Sequence, residues 1–206
     1  MALVRYARST RHIIELRNQL RKYIVVAAPT ETAYGLLADA VSSVAVARVV
    51  KLKGRERGKP IALIAPSLAM VRRYFRLSKA EQRLAKKFWP GPLTLVLKPK
   101  KRFPRAVTGA GGYVGVRVPK DAWLRKLVTA FGKPLTATSA NRSGKPALYS
   151  GSAVQKELGA RGLRHLVDAG QLKRRPTSTV VRVRGSHLIV FREGAVPRAK
   201  LSRVLG

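Results

Sequence analysis

The sequence predicts an α/β protein built as one domain spanning residues 1–206. Three observations carry that prediction. Short apolar runs of strand length, such as Tyr23 to Ala28, Ile61 to Ala65 and Leu93 to Leu97, alternate with segments whose apolar residues recur at helical spacing. The 206 residues suffice for one sizeable core, and 46% of them are hydrophobic. Finally, Pro134 to Pro146 (Pro-Leu-Thr-Ala-Thr-Ser-Ala-Asn-Arg-Ser-Gly-Lys-Pro) opens as an apolar strand and turns into hydroxyl and amide side chains. An open α/β sheet places its ligand at such a polar strand end. If the chain stays extended there, Ser139, Asn141 and Ser143 share one face. An ordinary soluble strand exit accounts for the same residues.

The elements follow in order. Residues 9 to 22 read as a helix, with Ile13, Ile14, Leu16 and Leu20 apolar and Ser9 or Thr10 as its cap. Tyr23 to Ala28 is nearly continuous in apolar character, as in a strand buried on both faces. Pro29 ends it. The loop Thr30 to Tyr34 offers two hydroxyls, a carboxylate and a phenol, a set able to recognise a small zwitterion; Thr30 would equally serve as a helix N-cap. Ser42 to Leu52 reads as a helix and runs into Lys53-Gly-Arg-Glu-Arg-Gly-Lys-Pro60. Basic runs are usually solvated faces, but here glycines and a proline hold the cations in a loop between apolar segments. Lys supplies a point charge and Arg a bidentate fork, which together suit a polyphosphate.

After the strand at Ile61 to Ala65, helices are predicted over Ser67 to Tyr74 and Ser78 to Phe88, each begun by a serine. Trp89-Pro90-Gly91-Pro92 forms a rigid turn, with Trp89 read as a core anchor rather than a stacking platform. Residues 98 to 112, basic and glycine-containing, read as the most mobile element, a lid over phosphates or a solvated flap. Val114 to Val118 is a strand carrying Arg117, which needs a charged partner or a cleft. A helix over Asp121 to Phe131 leads to the Pro134 segment. A further helix near Ser152 to Leu158 and a short strand at His165 to Val167 follow. The strands Ser178 to Val183 and His187 to Arg192, joined across Arg184-Gly185-Ser186, read as a hairpin.

Composition excludes several classes. No apolar run reaches the ~18 residues of a membrane span, and Arg5, Arg8 and Arg11 interrupt any signal-peptide core, so a cytoplasmic protein without membrane contact is expected. The absence of cysteine removes disulfides, thiolate chemistry and thiolate zinc sites. His12, His165 and His187 have no metal-ligand spacing and read as surface or core residues. No Ser/His/Asp set, paired carboxylates or GxxxxGK[ST] loop is present. The 43 Lys and Arg against nine Asp and Glu give a formal charge of +34, which attracts nucleotides, RNA and other polyanions. The cations are spread along the chain rather than gathered in a stripe with interleaved aromatics.

Six blocks carry a resemblance: Pro29-Thr-Glu-Thr-Ala-Tyr-Gly-Leu36, Lys53 to Pro60, Phe88-Trp-Pro-Gly-Pro-Leu-Thr94, Val114-Gly-Val-Arg-Val-Pro119, Pro134 to Pro146, and Ser178-Thr-Val-Val181 followed by Phe191-Arg-Glu-Gly194. In that order, over about residues 25–195, they resemble the YrdC/Sua5/TsaC family, the threonylcarbamoyl-AMP synthases. The resemblance implies a twisted, mixed sheet with flanking helices, a YrdC-like fold with a deep basic cavity. It implies a nucleotidyltransferase joining L-threonine, bicarbonate or CO2, and ATP into threonylcarbamoyl-AMP and pyrophosphate, with Mg2+ accompanying ATP. Separate proteins would then transfer the threonylcarbamoyl group to adenosine 37 of tRNA. By the same resemblance Lys53 and Arg55 bind the triphosphate and steady charge at the α-phosphate, with Lys59 beside them. Ser139, Asn141 and Arg192 contact the nucleotide, while Thr32, Arg117 and Ser178 hold threonine, Arg117 by its carboxylate. Such chemistry needs positioning and charge stabilisation more than a protein nucleophile.

Three positions depart from the family pattern. Tyr113 stands where a small hydroxyl residue is common, Arg182 where many members have an acid, and Ile64 where some have histidine. The chain also stops soon after the hairpin, whereas longer members carry a further C-terminal domain. An RNA-binding protein of this fold without catalysis is the alternative, supported by the charge. A module cut from a hydrogenase-maturation enzyme would share the fold, but no zinc fingers or acylphosphatase-like segment accompany it.

Overall fold

A computed structural model describes residues 3–55, 58–185 and 187–206. Glu56 and Arg57 of the basic loop and Ser186 of the hairpin turn lie outside the described residues. The strands form two sheets. The first comprises β1 (Val4–Tyr6), β2 (Val26–Pro29), β3 (Tyr34–Leu37), β9 (Thr138–Ser139) and β10 (His165–Val167), in the spatial order β1-β10-β2-β3-β9. The second holds β4 (Leu63–Ile64), β5 (Phe75–Arg76), β6 (Leu93–Pro99), β7 (Val114–Arg117), β8 (Leu135–Thr136), β11 (Thr179–Arg184) and β12 (His187–Arg192). Its order is β12-β11-β6-β7-β4-β8, with β5 pairing to β6 off that path. Both sheets mix parallel and antiparallel pairs, as where β10 runs parallel to β2 and β3 runs antiparallel to it.

The helices begin where hydroxyl or carboxylate caps permit. Ser9 caps α1 (Thr10–Arg21), Ser42 caps α2 (Ser43–Lys53), and Ser67 caps α3 (Leu68–Tyr74), each accepting from a backbone N–H of the first turn. Ser78 and Glu81 form a reciprocal capping box at the start of α4 (Lys79–Phe88). A short α5 (Arg105–Thr108) precedes α6 (Ala122–Phe131), capped by Asp121, and α7 (Gly151–Leu158), capped by Ser150. The last element is α8 (Arg198–Leu205). Helix α1 packs on α6, and α4 on α8. These helices cover a continuous core that includes Leu16, Leu36, Ile61, Leu84, Leu95 and Leu201.

Several expectations are corrected. No helix starts at Thr30. Its hydroxyl accepts from the N–H groups of Thr32 and Ala33 and donates to the Ala33 carbonyl, closing a tight turn that brings β3 back against β2. The strand expected from Tyr23 is β2 and begins at Val26, because Tyr23 adopts a positive φ of 62° at the end of α1. Residues 98 to 108 are built into the fold: Lys100 is bonded to the carbonyls of Tyr74 and Arg72, and Val107 is buried in α5. The segment at Pro134 is not one strand. It pairs with β4 as β8, then changes sheet at Ala137 and pairs with β3 as β9.

Strand alternation in the second sheet positions the site. On β6, Leu93, Leu95 and Leu97 enter the core, while Thr94 and Val96 face a cavity on the other side. On β11 the same period sends Val181 inward and Ser178, Val180 and Arg182 to the cavity, counting from the residue just before the strand. On β7, Val114 and Val116 are core residues and Gly115 and Arg117 face out. Gly115 adds no side chain to the cavity floor, and a Cβ there would crowd Thr94, lying 3.2 Å from its Cγ2.

Candidate active site

The cavity has a volume of about 690 Å3. The second sheet forms one wall, and the other is made of loops: the turn at Thr30 to Ala33, the residues Arg55 and Pro60, and Ala137 to Ser139. At one end stands Arg117, 7% exposed. Its Nη1 donates to Glu31 Oε1 at 2.7 Å, and the same oxygen accepts from the Lys120 backbone N–H. The other Glu31 oxygen, Oε2, is buried without a hydrogen-bond partner. Burial lowers the pKa of Arg117 and the adjoining Glu31 charge opposes that shift. The sequence requirement that Arg117 find a partner or a cleft is met by both. Beside it, the Thr32 hydroxyl lies 3.0 Å from Thr30 Oγ1, and Ser178 Oγ lies 2.9 Å from Thr94 Oγ1.

Arg55 occupies the loop wall. Its Nε and Nη2 donate to the carbonyls of Lys59 and Pro60 at 2.8 and 2.9 Å, and Nη1 reaches the Thr138 hydroxyl at 3.4 Å. The chain enters this loop through Gly54, whose left-handed φ of 57° ends α2. Arg192, from β12, donates through Nε and Nη2 to the Ser178 carbonyl and through Nη2 to the Ser178 hydroxyl. Burial lowers the pKa of Arg55; for Arg192 burial acts first and the Arg117 charge second. The cavity therefore holds Arg55, Arg117, Arg182 and Arg192, and among the described residues none of those lining it is acidic. Cations gathered in a partly dry site of this kind complement a multiply charged anion.

Residues 18–194 match the model of the Sua5/YciO/YrdC family, described as "Telomere recombination". The chain belongs to that family. It is 32% identical over 188 residues to a putative threonylcarbamoyl-AMP synthase of Methanocaldococcus jannaschii, covering 91% of this chain and 88% of the relative. It is 34% identical over 188 residues to the threonylcarbamoyl-AMP synthase of Pyrococcus abyssi, covering 91% of this chain but 55% of the relative. The crystal structure of Pyrococcus abyssi Sua5 complexed with L-threonine superposes with a TM-score of 0.91 at 31% identity, over 100% of this chain and 61% of that one. The chain thus spans a little over half of the longer Sua5 proteins.

In this Sua5/YciO/YrdC chain the structure brings Thr32, Arg55, Arg117, Ser139, Ser178 and Arg192 to one cavity. Lys53 and Asn141 are not on its wall. Lys53 closes α2 rather than lying on a loop and is only 2% exposed. Its ammonium donates to the Ser139 carbonyl at 2.5 Å, the Asn141 carbonyl at 2.8 Å and Asn141 Oδ1 at 3.3 Å. Burial, and then the Arg55 charge, push its pKa down to about 8. Asn141 turns its amide nitrogen to the carbonyls of Arg142 and Lys145. The chain bends there, so Ser139, Asn141 and Ser143 share no face: Ser143 donates its N–H to the Lys53 carbonyl instead. Lys53 is a buried tie that fixes the loop bearing Ser139.

One further group stands elsewhere than the sequence suggested. The Tyr34 hydroxyl bonds the Gly170 carbonyl at 3.0 Å and Asp168, so the phenol is taken out of small-zwitterion recognition. Trp89, as the sequence suggested, packs against the core, and it donates Nε1–H to the Leu93 carbonyl. Thr94 and Thr138 are the site residues that sequence reasoning passed over as contacts, and the pairing of Glu31 with Arg117 has no counterpart in it. Alternation along Leu93 to Leu97 would have found Thr94, whereas the Glu31–Arg117 pair joins residues 86 apart and leaves no local signal.

Proposed function

We propose that this chain is an L-threonylcarbamoyladenylate synthase. The observation that carries the reading is one cavity that pairs a Glu31-held Arg117, beside Thr32 and Ser178, with an Arg55 wall beside Ser139. In this reading Arg117 takes the threonine carboxylate, while Thr32 and Ser178 orient the rest of the amino acid. The threonine amine adds to CO2 derived from bicarbonate, giving a carbamate with loss of a proton. A carbamate oxygen then attacks the α-phosphorus of ATP, the bond to the β-phosphate bridge breaks, and pyrophosphate leaves. Arg55 and Arg192 would balance the charge on the triphosphate and the departing pyrophosphate. Lys53, with Asn141, would act by holding Ser139 in place. Among the described residues no group of three or more His, Asp or Glu could hold a metal ion, and Mg2+ enters as the counter-ion of ATP.

The surroundings of the reaction belong to the same proposal. No helix among the described residues is long and apolar enough to cross a membrane, which agrees with action in the cytoplasm. The +34 charge favours contact with tRNA or other RNA, and separate threonylcarbamoyl-transfer proteins would take the product. The deciding experiment follows pyrophosphate release with each substrate omitted in turn. Release should need ATP, threonine and bicarbonate together. Serine should support slow turnover, since one missing methyl contact is worth only ~1–3 kcal/mol. Equal turnover with glycine would remove the threonine assignment. No release with all three present, but binding to RNA, would favour the non-catalytic reading.

A further inference from the structure

Four arginines reach the cavity, and three of them have guanidinium donors engaged by the protein: Arg55 by carbonyls, Arg117 by Glu31 and Arg192 by Ser178. Arg182 differs. Among the described residues its guanidinium makes no hydrogen bond or ion pair, and its partner is the ring of Tyr113, with Cζ 3.5 Å from the ring centroid. That distance is about the thickness of two stacked planes, which seats the cation on the ring face and leaves its N–H donors without a protein acceptor among the described residues. Tyr113 is itself at the cavity, and among the described residues its hydroxyl has no hydrogen-bond partner. The stack fixes the position of a planar cation while leaving every donor open.

The location decides the ligand. Tyr113 ends the loop that follows α5, and this loop is joined to the Arg55 wall. Ile61 donates its N–H to the Ala106 carbonyl at 2.8 Å, and a Cβ on Gly109 would sit 2.7 Å from Pro60 Cγ. Pro60 also accepts from Arg55 Nη2. The loop after α5, packed on Pro60, thus joins Arg55 to the rim on which Tyr113 and Arg182 stand. An open guanidinium fork on that rim matches a phosphate oxygen pair better than the small-carboxylate end governed by Arg117.

We propose that Arg182, held on the Tyr113 ring, is an additional phosphate-binding residue that takes the β- and γ-phosphates of the nucleotide and retains the pyrophosphate product. The inference rests on the nucleotide reading given above. Its test is titration calorimetry with ATP, AMP and inorganic pyrophosphate on the wild type, Arg182→Gln, Arg182→Lys, Tyr113→Phe, Tyr113→Ala and Arg55→Gln. Arg73→Gln serves as a charge control, because Arg73 stacks on Tyr74 at 5.9 Å outside the cavity lining. Arg182→Gln should weaken ATP and pyrophosphate about tenfold or more and AMP less than about threefold. Arg182→Lys and Tyr113→Ala should fall between, while Tyr113→Phe, which keeps the ring, and Arg73→Gln should match the wild type.

The proposal is overturned alone if Arg182→Gln binds ATP and pyrophosphate within about twofold of wild type while Arg55→Gln loses tenfold or more. Equal losses for AMP and ATP in Arg182→Gln would also overturn it, by moving the contact to the α-phosphate or the base. A Tyr113→Phe loss as large as that of Arg182→Gln would overturn the role of the ring. If the wild type binds neither ATP nor pyrophosphate, the nucleotide reading falls and the inference with it.

Discussion

The two walls of the cavity are built by different physics. The sheet wall takes its order from strand pairing, so that Thr94, Gly115 and Ser178 are placed by backbone ladders that their own side chains do not make. The loop wall has no such ladder beyond the two residues of β9. Its order comes from buried side chains reaching main-chain carbonyls, above all Lys53 to Ser139 and Asn141. The difference teaches where function is fragile. On the sheet wall the ladder holds the backbone of each position whatever its side chain, whereas on the loop wall removal of one ammonium releases a whole segment.

The largest effect is expected where an ion pair ties the two walls together. Arg117→Ala leaves Glu31 as a buried carboxylate whose remaining partner is the Lys120 N–H. Breaking a buried pair from one side costs about 3–5 kcal/mol. The melting temperature should fall by roughly 10 °C for a chain of this size, together with loss of threonine binding. A melting temperature within a degree or two of wild type would show that the cavity end is wet and the pair unimportant to the fold.

Lys53→Met comes next and tests the loop wall directly. It leaves the carbonyls of Ser139 and Asn141 without their donor, at about 1–3 kcal/mol for such unsatisfied groups. Amide exchange in residues 139–145 should quicken while that of β6 and β11 stays slow. Uniform quickening across both walls would erase the contrast between them. Arg55→Gln should act in the opposite sense. Its effect should be about a ten- to hundredfold loss of catalytic efficiency, from ~1.5–3 kcal/mol of charge-assisted contact. The denaturant midpoint should hardly move, and a large shift in it would place Arg55 among the structural ties.

The remaining effect is a pH dependence. The Lys53 pKa is lowered in the folded chain to about 8 from an ordinary 10.5, so between those values the unfolded chain binds the extra proton. Stability therefore rises with pH across that window, and the opposition to folding from this group is fully present below about 8. Urea midpoints for the wild type minus those for Lys53→Met should increase from pH 7.5 to about 10. A flat difference would mean that the surrounding carbonyls keep the ammonium as charged as it is in water.

Much of this was legible in the sequence, and the exceptions have physical causes. Serine caps and apolar periodicity located α1 to α4 because those signals are local, as in the Ser78–Glu81 box. Lys53 and Arg55 looked equivalent, two cations flanking a glycine. Helix α2 runs one residue past the predicted end, which turns Lys53 inward, and the positive φ of Gly54 sends Arg55 to the cavity. Tyr34 looked available because its partners, Asp168 and Gly170, lie more than 130 residues away in sequence. β1 and β5 were missed because strands of three and two residues carry too little pattern to read.

The change of sheet at Ala137 has a consequence for how the molecule comes apart. Residues 135–139 are the seam at which one polypeptide segment belongs to both sheets. Thr136 donates its N–H to the Ala38 carbonyl and its hydroxyl to the Leu36 carbonyl, and Ala137 donates its N–H to Ala62. Neither sheet can separate from the other without opening this seam. Heat or denaturant should therefore melt both sheets in a single transition, and the amides of Thr136 and Ala137 should exchange with solvent only through global unfolding.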